Sequence, residues 1–427
     1  MKEHIAKAKS FIFSGTAKDT GLLFVGNWLS AIWGLFFTLF VARAMSLAEF
    51  GIFSAAVNLV NILTSLSDIG ISSGSVNFVA EHHAKNDHEK ANEYIKAAFV
   101  IRLAIVLFLS IIVIIFSNFI APTILATKDA RIAIWAAIIP VFLFPDMFFP
   151  PIMQAKRKFL QSTIVDNVFY IGRLVFAFIF FLLGRLNISL AFWSFGVGFV
   201  LELLLIVHYL KLDFLFAKPK AEEYKSLLKF SGWLGVNRIV SSVSGKLDIQ
   251  MLAGISGAVA TGIYSIASRI SSFIIVLCGS YSAVLAPRMA SFGDREKEKK
   301  YIIKSTLALV PIALLIIFGI FIANPFIILA FGTKYEPSLL VFRYLALAQI
   351  PFLFTAPSVT AIVYSMKKTV YIGAFSFFQL AAMFLLNFYL IPKFGPLGPT
   401  ITYAVTNIIL AAFTWVVVIK HYWVQAK

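Results

Sequence analysis

The sequence predicts an all-α polytopic membrane protein. Twelve transmembrane helices form two six-helix lobes related by a parallel, pseudo-two-fold repeat. Three observations predict it: apolar runs about 20 residues long, a one-sided distribution of basic loops, and an internal repeat at a single offset.

The apolar runs come first. Of the 427 residues 60% are hydrophobic and 13% charged, with a mean hydropathy of +0.89. Soluble domains carry about 25% charged residues, so this chain has too little polar surface for water. Runs of about 20 apolar residues match the length that crosses a hydrocarbon core as a helix. They lack the alternating period of a membrane barrel. Spans are expected near 21–42, 50–80, 97–118, 131–153, 162–184, 189–209, 230–252, 262–288, 305–323, 338–363, 370–391 and 397–419. The stretch Met1 to Lys18 reads as a short amphipathic surface helix with Ile5, Phe11, Ile12 and Phe13 on its lipid side, not as a cleavable signal.

The basic loops fix orientation. With loops assigned alternately to two sides, the side holding the N-terminus carries 25 Lys and Arg and the other side 6. The positive-inside rule then places both termini in the cytoplasm of a bacterial inner membrane. The net charge of +17 is a topology signal and an attraction to anionic lipid, not a nucleic-acid footprint. The longest loop, 210–229, is rich in Lys and Glu and reads as a cytoplasmic linker between a lobe at 1–209 and a lobe at 230–427.

The repeat divides the chain. Residues 21–56 align without gaps on 232–267, with 10 of 36 positions identical, among them Gly21/Gly232, Ser30/Ser241, Gly34/Gly245, Gly51/Gly262 and Ser54/Ser265. The same offset of 211 pairs Ile139-Pro140 with Ile350-Pro351 and Lys156-Arg157 with Lys367-Lys368. Six spans per half return the chain to its starting side, so the halves share one orientation. Parallel repeats of this kind occur in transporters that rock about a midplane site. Pro140, Pro145, Pro351 and Pro357 are natural flexing points, because membrane-embedded proline frees backbone carbonyls.

Enzyme motifs are missing. Gly245-Lys246 lacks the first glycine and the hydroxyl residue of a P-loop. His82, His83 and His88 share a charged loop and read as solvated, not metal-loaded. The single Cys278 excludes an intrachain disulfide and a cysteine cluster. A membrane glycan polymerase or transferase needs positioned carboxylates beside its acceptor. The short external loops offer only Glu49, Asp129 and Glu336. No cofactor is expected. Within the spans, Asp146, Asp166 and Glu202 lie near the cytoplasmic ends of the fourth, fifth and sixth helices, and Arg173 is one heptad beyond Asp166. Buried charges persist when paired, so Arg173 is expected to contact one of these acids, in a structural ion pair or a coupling site.

Further residues carry a family resemblance. A turn leads into the second span as Gly51-Ile52-Phe53-Ser54, followed by Ser67-Asp68-Ile69-Gly70-Ile71. The eighth span opens Gly262-Ile263-Tyr264-Ser265 and leads to Pro287-Arg288. The last hairpin reads Leu390-Ile391-Pro392-Lys393-Phe394-Gly395-Pro396-Leu397-Gly398-Pro399-Thr400, with Pro399 and Thr400 where the family has alanines. Over essentially its whole length the chain resembles the polysaccharide-exporter branch of the multidrug/oligosaccharidyl-lipid/polysaccharide flippase superfamily, which includes O-antigen flippases. The resemblance implies a V-shaped pair of lobes and alternating access to a central cavity. Its implied cargo is a polyprenyl-pyrophosphate-linked oligosaccharide, such as an O-antigen unit of lipopolysaccharide, moved from cytoplasmic to periplasmic leaflet. Membrane lipids, a glycan polymerase and a chain-length regulator are the implied partners. An ion-coupled multidrug-type exporter is the alternative. A pyrophosphate cargo needs cationic walls, whereas cationic drugs need acidic ones.

Against that background Arg238, Lys246 and Arg269 are the candidate cargo residues, on the seventh and eighth spans that face the cleft in the family. Their repeat mates are Asn27, Leu35 and Asn58, so the charge was placed in the second half alone. Ser241 completes a polar stripe with Arg238 and Gly245, and Asn27 and Asn58 extend the lining. Asp68 could answer Arg238. Lys246 and Asp248 point about 200° apart on one helix and are not expected to pair.

Overall fold

The computed structural model describes residues 15–424, and the side chains of all of these except 15–18, 20, 233, 234, 237 and 238. The expected surface helix with Ile5, Phe11, Ile12 and Phe13 lies outside the described residues, as does the Arg238 side chain. Among the described residues there are helices and turns and no strand. Ten segments are long and apolar enough to cross a membrane. Two of them, Ile239–Ser291 and Thr369–Val424, are 53 and 56 residues long, about twice what one crossing needs. Each is interrupted at a left-handed glycine, Gly257 (φ 81°) and Gly395 (φ 54°). Large apolar side chains such as Phe321 and Leu329 are over 70% exposed, which suits contact with lipid and not with water.

The chain clusters into two compact units. Unit 1 comprises residues 1–46, 59–120 and 129–239, and unit 2 comprises 47–58, 121–128 and 240–427. Most of unit 1 is built from α1 (Gly15–Ala44), the end of α2 (Leu47–Asp68), α3 (Ile71–Ala84), α4 (His88–Ile115), α6 (Ala130–Ala155), α7 (Phe159–Leu182), α8 (Ile188–Tyr209) and the first part of α9 (Ala221–Ser244). The short α5 (Ser117–Ile124) divides between the units. The second expected span is not continuous. It breaks at Ile69 (φ 32°) and Gly70 (φ 77°), where Asp68 Oδ1 accepts the Ser72 N–H and restarts the chain as α3. A side chain on Gly70 would press on the Ser231 carbonyl and the Gly235 amide of α9, so the break also admits a close backbone approach.

The 210–229 stretch is docked on unit 1. Phe214 is buried against Phe99 and Phe149. Lys96 Nζ donates to the Leu215 and Ala217 carbonyls at 2.7 Å each. Lys90 bonds Glu223, whose other oxygen accepts the Lys220 N–H at 2.6 Å. Helix α9 begins at Ala221, so residues 221–229 of this segment are helical.

Unit 2 adds α10 (Leu247–Ser291, broken at Gly257), α11 (Arg295–Leu307), α12 (Val310–Phe331), α13 (Pro337–Leu353), α14 (Thr355–Thr360), α15 (Thr369–Phe394) and α16 (Gly398–Ile419). The expected seventh span is interrupted too, between α9 and α10, where Lys246 (φ −130°) leaves helical geometry. Around Pro351 and Pro357 the tenth span bends into α14 and a wide turn at 361–365. Side chains satisfy the carbonyls there. Asn407 donates to Ala348 O at 2.9 Å and Trp415 Nε1 to Phe354 O at 3.1 Å.

Turns recur at the sequence offset. Gly184 and Gly395, 211 apart, both have positive φ, as do Arg157 and Lys367, 210 apart (59° and 55°). The break at Gly257 falls 211 after Ser46, which separates α1 from α2.

Candidate functional site: polar groups within the membrane helices

Unit 1 holds a buried acid–base cluster. Asp146 comes from α6, Asp166 and Arg173 from α7, and Glu202 from α8. Ser30 on α1 donates to Asp166 Oδ2 at 2.5 Å. The Arg173 guanidinium lies 3.6 Å from the Phe195 ring centroid and 4.4 Å from that of Phe37. It is close enough to act electrostatically on Asp146. Asp146 and Asp166 in turn act on Glu202, which is fully buried. Asn27 is exposed and shares a pocket of about 50 Å³ with Asp166, Gln154, Ser162 and Thr163. That is room for a water or two.

A second cluster sits at the break in the second span. Arg102, 2% exposed, donates through Nη1 to Ser72 Oγ at 2.8 Å and to Met147 O at 3.0 Å, with Nε 3.8 Å from Asp68 Oδ1. Asp68 thus has Arg102 as a partner. The two are 34 residues apart, and only the fold brings them together.

Unit 2 uses neutral groups. Asn58 is buried, and its Nδ2 donates to the Lys246 carbonyl at 2.7 Å and to Gln250 Oε1 at 2.8 Å. Gln250 Nε2 donates to Ile124 O at 3.0 Å. Asp248 is buried and accepts a 2.6 Å bond from Tyr264. Lys246 caps the start of α10, partly exposed, with Nζ 3.4 Å from Ser242 Oγ. Ser241 and Arg269 are exposed. Gln250 was missed by the sequence reading, although a lone amide in an apolar run is a usable signal.

Residues 16–293 match the family model described as polysaccharide biosynthesis protein. The chain belongs to this family. The member described here is also 22% identical over 391 residues to a putative O-antigen transporter of Shigella flexneri, covering 87% of this chain and 90% of that one. Two solved structures share its fold. One is a multidrug resistance MATE-family transporter of the MOP superfamily in an inward-facing conformation (TM-score 0.77, 16% identity, 93% of this chain and 96% of that one). The other is the lipid II flippase MurJ in an inward closed conformation (TM-score 0.75, 15% identity, 92% and 86%). The protein is therefore an all-α, multi-pass membrane protein of polysaccharide biosynthesis, whose relatives are named transporters and flippases.

Proposed function

We propose that this family member is not an enzyme but a flippase, moving a polyprenyl-pyrophosphate-linked oligosaccharide from the cytoplasmic to the periplasmic leaflet of the inner membrane by alternating access. Both termini are cytoplasmic in this reading. The two long interrupted segments each cross twice, giving twelve spans in two parallel sets of six. The observation that carries the proposal is an exposed cation within the membrane helices of unit 2. There Arg269 is exposed and Lys246 partly so, with exposed Ser241 as a neutral hydroxyl. The acid of that unit's helices, Asp248, is buried, as are Asp146, Glu202, Arg102 and Arg173 in unit 1, while Asp68 and Asp166 are partly exposed. Exposed polar groups at membrane depth line water, not lipid, so the wetted surface of unit 2 carries a cation that suits a pyrophosphate. A multidrug exporter for cationic drugs needs the reverse.

Complementation of a flippase-null strain tests this. Wild-type protein restores surface glycan, while Arg269→Ala at matched expression loses most of it and Arg269→Lys retains it. Full surface glycan from Arg269→Ala and Arg238→Ala removes these residues from the mechanism.

A further inference from the structure

Unit 2 contains two short pieces of the first half of the chain, Leu47–Asn58 and Ala121–Lys128, whose flanks on both sides belong to unit 1. Three fastenings hold them. At the start of α2, Phe50 packs edge-on against Tyr335, both buried, with ring centroids 5.8 Å apart. Next comes a backbone crossing. A Cβ built on Gly51 would meet the Ala258 carbonyl and the Gly262 amide, and one on Gly262 would meet the Leu47 carbonyl and the Gly51 amide. Eight residues before Gly262, Gly254 similarly admits the Thr123 carbonyl. At the end of the piece, the Asn58 amide joins the Lys246 carbonyl to Gln250, and Gln250 reaches on to Ile124 O.

The crossing has a symmetry of its own. Gly51 and Gly262 are repeat mates, and so are Leu47 and Ala258. The contact is reciprocal: each glycine receives the carbonyl of the residue four before the other. A patch that binds its own mate in this way is the isologous contact of a two-fold axis. Small residues let such helices approach by backbone packing alone. At the two glycines backbone meets backbone, so this crossing can part without a glycine rotamer to rearrange. The amide bonds have the same character. Neutral donors and acceptors exchange protein partners for water at little net change, unlike the charged pairs around Arg102.

We propose that the Gly51–Gly262 crossing and the Asn58–Gln250 amide pair form a releasable clasp, on the side that the charge bias assigns to the periplasm, which must open in each transport cycle. The idea rests on the flippase reading for its purpose, and on geometry for its existence. Water entering the break at Gly245-Lys246 takes over the carbonyl that Asn58 holds.

The test uses full-length protein with Cys278→Ala, carrying Asn58→Cys and Gln250→Cys. A short bis-methanethiosulfonate bridges the two thiols, and thiol counting confirms the bridge. Surface glycan export in the flippase-null strain is expected to fall at least tenfold on bridging and to return on reduction. Undiminished export by fully bridged protein overturns the proposal. A second readout needs no transport. The single variant Asn58→Cys is labelled from outside by a membrane-impermeant maleimide, and Gly262→Ala or Gly51→Ala, each of which puts a Cβ into the crossing, is expected to speed labelling at least tenfold. An unchanged rate in both backgrounds overturns the clasp. If no form of the chain exports glycan, the flippase reading fails, and the labelling rates still decide the clasp.

Discussion

Unit 1 buries charge alongside its hydroxyls, and unit 2 buries mainly hydroxyls and amides. Arg102, Asp146, Arg173, Glu202 and Glu223 are all buried in unit 1, held by long-range pairs, ring faces and each other. In unit 2 Asp248 is the buried acid among the described residues, and it is answered by a tyrosine. The buried polar groups there are otherwise side chains such as Thr402, Thr406 and Thr414, which donate to carbonyls of their own helix one turn back. The two halves descend from one repeat, yet their polar interiors differ in kind. A hydroxyl that bonds its own helix is satisfied before any packing. A buried charge is satisfied only after several helices have met. Unit 1 therefore depends on its tertiary contacts to remain folded far more than unit 2 does.

The largest test of that contrast is Arg102→Ala. It takes the cation away from the Asp68 carboxylate and the donor away from Ser72 Oγ and the Met147 carbonyl. Breaking one partner out of a buried pair costs about 3–5 kcal/mol. Detergent-extracted protein should lose its monodisperse peak in size exclusion, or melt far earlier. The double variant Arg102→Met with Asp68→Asn should recover much of the loss. If the single and double variants behave alike, the ion pair is not what holds α2, α4 and α6 together.

Arg173→Ala is next. It removes a cation lying over Phe195 and Phe37, worth about 2 kcal/mol where desolvated, and the positive charge felt by Asp146. Arg173→Ala should express at reduced level, and combination with Asp166→Asn or Glu202→Gln should restore expression and transport together. Normal expression with transport abolished in the paired neutral variants would shift these acids from structure to ion coupling.

In unit 2 the matching substitution is Thr406→Val, which removes the hydroxyl bonded to Thr402 O at 2.9 Å. Even side-chain hydrogen bonds between membrane helices average only about 0.6 kcal/mol, and this one binds its own helix, so the melting temperature should move by only a degree or two. A shift as large as that of Arg173→Ala would erase the distinction between the units.

Much of this was legible in the sequence, for reasons that separate cleanly. Apolar runs and loop charges act residue by residue, so the helical membrane fold could be read directly. The repeat was visible at Gly51/Gly262, positions where the structure leaves no room for a Cβ. The breaks at Ile69-Gly70 and at Gly245-Lys246 were not read, although small and polar residues such as Ser67, Asp68, Ser244 and Asp248 flank both, because hydropathy averaged over a span does not register backbone geometry. Nor was the seat of Arg173, since Phe37 and Phe195 look like any other phenylalanine in a lipid-soluble run. Asn58 and Gln250, 192 residues apart, required the fold.

The smallest effect belongs to a charge on the surface of unit 1, and it separates burial from charge as the cause of that unit's dependence on packing. Asp87 precedes α4, and its Oδ1 accepts the Lys90 N–H at 3.1 Å while Oδ2 lies 3.2 Å from His82 Nδ1. The Lys90 N–H, aided by the His82 bond, holds the Asp87 carboxyl below the usual aspartate range. An acid whose folded-state pKa is depressed stabilises the fold above its unfolded value, near 3.9, and that contribution fades as pH falls through the lower folded value. At neutral pH the cap is therefore fully present. Asp87→Ala should fray only the first turn of α4, speeding amide exchange at 89–92 a few-fold with no change in melting temperature. Lys90 still bonds Glu223 and pins the helix from its other face. Asp87→Asn keeps an acceptor and should exchange like the parent at pH 7. Below about pH 4 the parent's exchange at 89–92, corrected for intrinsic rates, should approach that of Asp87→Ala. If Asp87→Ala instead unfolds unit 1 as Arg102→Ala is expected to, then charge itself, exposed or buried, sets the stability of that unit, and the contrast drawn from burial is wrong.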